Sequence, residues 1–63
     1  MTELLAGFSD NKMANDLLET LTMTFPEREF VVEGNNVGIK GQESPAVKMF
    51  VLGYILGMQR AMS

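Results

Sequence analysis

The side chains able to do chemistry are few and nearly all are carboxylates: Asp10, Asp16 and Glu19 in the first third, then Glu27, Glu29 and Glu33 at close spacing. The second group alternates along an extended segment, which puts its members on one strand face as an acidic patch for a basic partner or cation, or as an ordinary solvated face. The first group suits the start and the exposed side of a helix, where acidic groups complement the free N–H groups. Paired carboxylates can do acid–base work, but only inside a pocket that fixes their geometry. The chain has no His and no Cys, so imidazole bases, thiolate nucleophiles and the usual transition-metal ligands are all missing. No serine sits in a nucleophile-elbow sequence, and no run of alternating oxygen ligands resembles a calcium loop. Gly34 and Gly38 belong to a hairpin pattern rather than a phosphate loop. The expectation is no enzyme, no metal and no cofactor.

Five Lys and Arg against eight Asp and Glu give a net charge of −3. The basic residues Lys12, Arg28, Lys40, Lys48 and Arg60 are scattered, so no positive footprint for nucleic acid is expected. No basic stretch precedes an apolar leader segment, and the longest apolar run, Met49 to Met58, has 10 residues against the ~20 a bilayer core demands. With no cystine framework available, the expected compartment is the cytoplasm.

The elements that carry these groups follow from periodicity. Ser9-Asp10-Asn11 offers side-chain oxygens for a helix start, and Met13, Ala14, Leu17, Leu18, Leu21 and Phe25 then share one face. Pro26 ends that helix near Thr24. Over Arg28 to Glu33 the period becomes two, with Phe30 and Val32 on one side and Glu29, Val31 and Glu33 on the other. Gly34-Asn35-Asn36 provides a turn, Val37-Gly38-Ile39 resumes the alternation, and a β-hairpin results. Ahead of these, Thr2 is placed to cap a single helical turn over Glu3 to Gly7, or residues 1–8 are flexible. Ser44-Pro45 opens a second helix reaching about Ala61.

The expected fold is α+β, a single small α-β-β-α domain over residues 1–63 with the hairpin packed against two helices. Its expected core is Leu17, Leu18, Leu21, Phe30, Val32, Val37, Ile39, Val47, Phe50, Val51, Tyr54 and Met58. A chain of this size should expose about 4,000 Å² when folded and about 10,000 Å² when extended. Apolar burial then contributes ~90 kcal/mol against ~95 for chain ordering, a balance close to zero. Two strands are also too few to stand alone, so dimerisation, including one that continues the sheet, is expected to complete the domain.

The second helix is apolar nearly all round, which marks it for burial in something larger. Gly53, Gly57 and Ala61 recur every four residues beside Phe50 and Tyr54. That row suits a close self-contact across a dimer axis, or close packing on the chain's own hairpin or first helix. A second stripe, Met49, Leu52 and Leu56, is separated from the first by Lys48 and Gln59 on one side and Arg60 on the other. It is either a surface for a partner protein or core covered by Leu4, Leu5 and Phe8 folding back.

The opening Met1-Thr2-Glu3-Leu4-Leu5-Ala6-Gly7-Phe8, the closing Phe50-Val51-Leu52-Gly53-Tyr54-Ile55-Leu56-Gly57-Met58 and the overall build resemble the small orphan early-region accessory proteins of lambdoid phages and prophages. The resemblance implies an accessory or regulatory role in the host cytoplasm, binding and modulating a host or phage protein. The expected function is therefore a homo-oligomeric, non-catalytic protein-interaction module. The alternatives are a small transcriptional accessory or DNA-binding protein, and a purely structural self-assembling protein.

Overall fold

The computed structural model describes residues 1–42 and 44–62. The element order is β1 (Thr2–Gly7), α1 (Asn11–Thr24), β2 (Phe30–Glu33), β3 (Asn36–Lys40) and α2 (Pro45–Met62). The class is α+β, as the residue pattern implies. The hairpin β2–β3 and both helices lie where periodicity puts them, and α2 runs one residue past Ala61.

The N-terminus corrects the expectation of a helical turn or a flexible lead. Thr2–Gly7 is a strand, antiparallel to β3, and it makes the sheet three-stranded in the order β1-β3-β2. The physical reason is the cost of nucleation: five helix-forming residues fix several dihedrals for one hydrogen bond. Pairing with β3 instead satisfies a whole row of backbone groups. The ladder is extended at both ends, where Met1 C=O accepts from Gly41 N–H at 2.7 Å and Phe8 N–H donates to Asn35 C=O at 2.9 Å.

Both helices cover one face of the sheet. Ala6, Phe30, Val37 and Ile39 from the strands meet Ala14, Leu17 and Leu21 of α1 and Val47 and Val51 of α2 in one buried cluster. Leu18, Val32, Phe50 and Tyr54 are half-buried against it, while Met58 is half-buried nearer the end of α2. Ala6 joins the core because β1 exists. No described element covers the opposite sheet face, where Thr2, Leu4, Val31, Glu33, Asn36 and Gly38 line a shallow hollow of about 180 Å³. The accessible surface is 4347 Å², close to the ~4,000 Å² expected for this length.

Local chemistry fixes the ends. Asp10 caps α1, its carboxylate accepting from Lys12 N–H at 2.7 Å. The Asn11 side-chain amide donates to Gly34 C=O and so ties the start of α1 to the hairpin turn. Gly34 has φ 63°, in the left-handed region that glycine enters at little cost. The Arg28 guanidinium donates to the carbonyls of Lys40 and Gln42 and steadies the exit from β3.

Candidate protein-binding surface

Helix α2 packs on the domain through the side that carries Val47 and Val51. Val47 and Val51 are its buried residues. Phe50 meets Phe25 at the end of α1 with ring centroids 5.7 Å apart and planes at 84°, an edge-to-face arrangement. Tyr54 stands next to Phe50, with ring centroids 6.5 Å apart. Two residues expected in a self-contact, Phe50 and Tyr54, therefore take part in packing within the chain.

Met49, Leu52 and Leu56 lie on the side of α2 opposite Val47 and Val51, as their helical phase requires. Their exposures are 75%, 59% and 50%. Leu4 and Leu5 do reach this region, where with Lys48, Val51, Leu52 and Ile55 they line a groove of about 250 Å³ between β1 and α2. They flank the stripe without covering it, and Leu4 is itself 67% exposed. Phe8 sits further along, lining a separate hollow with Met13, Ile55 and Met58.

The row Gly53, Gly57 and Ala61 is exposed. Among the described residues, no atom outside the helix's own backbone and chain neighbours lies within 4 Å of a Cβ built at Gly53 or Gly57. Neither the hairpin nor α1 uses the space these glycines leave. On the helix the row borders the Met49–Leu56 stripe on the side turned toward Phe50, whereas the β1 groove borders it on the Leu52 side.

The described carboxylates do not gather into a site. Glu29 pairs with Lys40 at 2.9 Å on the surface, and the hydrogen bond to Glu29, followed by its negative charge, raises the Lys40 ammonium above its ordinary 10.5. Glu33 lines the hollow on the sheet face opposite the helices. Among the described residues there is no group of three or more potential metal-ligating side chains, and no helix is long and apolar enough to cross a membrane. The charged residues of α2 are Lys48 and Arg60, with no carboxylate along it.

That Leu4 and Leu5 reach α2 as part of a strand, rather than as a helical turn or a flexible lead, is what the sequence reasoning missed. The signal that could have found it is the apolar content of Leu4, Leu5 and Ala6 next to a hairpin short of a third strand. No family model matches the chain, and no match is found among curated proteins or solved structures.

Proposed function

We propose that this chain is a non-catalytic protein-interaction module whose binding surface is the outward side of α2. The observation that carries this is the exposure of Met49, Leu52 and Leu56 as one stripe on a helix already anchored through Val47 and Val51. Single exposed apolar side chains are ordinary on any protein, but a contiguous patch on so small a domain is where a partner removes most water. Methionine adds adaptability, since an unbranched thioether fits contours that branched chains do not. The finer reading is a homo-oligomeric accessory or regulatory protein of phage type, acting in the host cytoplasm on a host or phage protein, and it rests on the resemblance in build.

The test is photo-crosslinking in cells with a photoreactive residue at position 49, 52 or 56, compared with positions 23 and 33 as exposed controls. Protein adducts concentrated at the three α2 positions are the expected result. Adducts no more abundant there than at the controls would refute the assignment of the surface.

A further inference from the structure

We draw no further inference here: the strongest candidate, the apolar stripe of Met49, Leu52 and Leu56 on α2 together with the β1–α2 groove beside it, belongs to the surface already described, and nothing in the structure shows what covers it.

Discussion

Gly38→Ala probes the strand that periodicity did not anticipate. Gly38 sits in β3 opposite Leu4 of β1, and a Cβ placed there would lie 2.8 Å from Thr2 Cγ2, 3.0 Å from Glu3 C=O and 3.6 Å from Val31 Cγ2. Carbon atoms pack best at about 3.5–4.0 Å, so the first contact is a true overlap. The Thr2 methyl can swing aside by changing rotamer. The Glu3 carbonyl cannot, because it belongs to the β1 backbone, and β1 has to shift by a few tenths of an ångström. Overpacking of this kind costs about 1–3 kcal/mol. Replacing glycine recovers about 0.4–1 kcal/mol by restricting the unfolded chain.

The net expectation is a loss of about 1–2 kcal/mol, equivalent to a fall in Tm of ~5–15 °C for a domain of this size. Urea unfolding at fixed protein concentration measures it, the fixed concentration keeping any self-association constant between variants. Thr2→Ala deletes the atom at 2.8 Å, which can move aside anyway, and leaves the backbone oxygen at 3.0 Å, so the double variant should recover only a minor part of the loss. A Gly38→Ala protein as stable as the parent, or more so, would refute the reasoning. It would mean that nothing covers this position and that residues 2–7 are not paired with β3.

Gly57→Ala meets open space on the exposed side of α2, so its better helix propensity should raise stability by about 0.5–1 kcal/mol in thermal unfolding. Asp10→Ala removes the carboxylate that accepts from Lys12 N–H and should cost about 1 kcal/mol, with Asp10→Asn nearly neutral. The raised Lys40 pKa should be visible by NMR titration and should fall back toward the ordinary value in Glu29→Gln. Because the folded value is the higher one, the pair's contribution is fully present below pH 10.5 and is lost as pH rises through the folded pKa.

The parts of the fold legible in the sequence are those whose period is uninterrupted. In α1, Leu17 and Leu21 stand one turn apart behind an Asp10 cap and ahead of Pro26, so phase, start and stop all agree. β1 was hidden by a bulge. The pairing with β3 shifts between Leu4 and Ala6, leaving Leu5 as the extra residue, and the apolar order Leu4-Leu5-Ala6 shows no alternation. Its local composition also favours helix, and only the tertiary partner decides otherwise. For the candidate surface, the surplus of apolar residues on α2 was legible. The covered side was legible too, since Val47 and Val51 are buried and Phe50 and Tyr54 pack against the core as expected; that Phe25 at the end of α1 and Ala6 of β1 supply the other half of that packing was not, because no local pattern encodes the placement of those elements.

The way the sheet is completed bears on how the chain can associate. A two-stranded hairpin would have invited another copy to extend it, but β1 supplies the missing strand from the same chain and leaves β1 and β2 as the two edges. Both edges are poor templates for strand addition. The Leu5 bulge breaks the hydrogen-bonding rhythm of β1, and β2 has only four residues, flanked by Glu29 and closed by Glu33. Bulges, short length and charge are the devices by which native sheets discourage edge pairing. Among the described residues, four of the seven large apolar side chains left exposed, Met49, Leu52, Leu56 and Met62, are on α2, where backbone groups are satisfied within the helix and side chains alone determine what docks. Association through α2 therefore requires no rearrangement of the sheet, and a variant such as Leu52→Glu can abolish it while the three-stranded core remains intact.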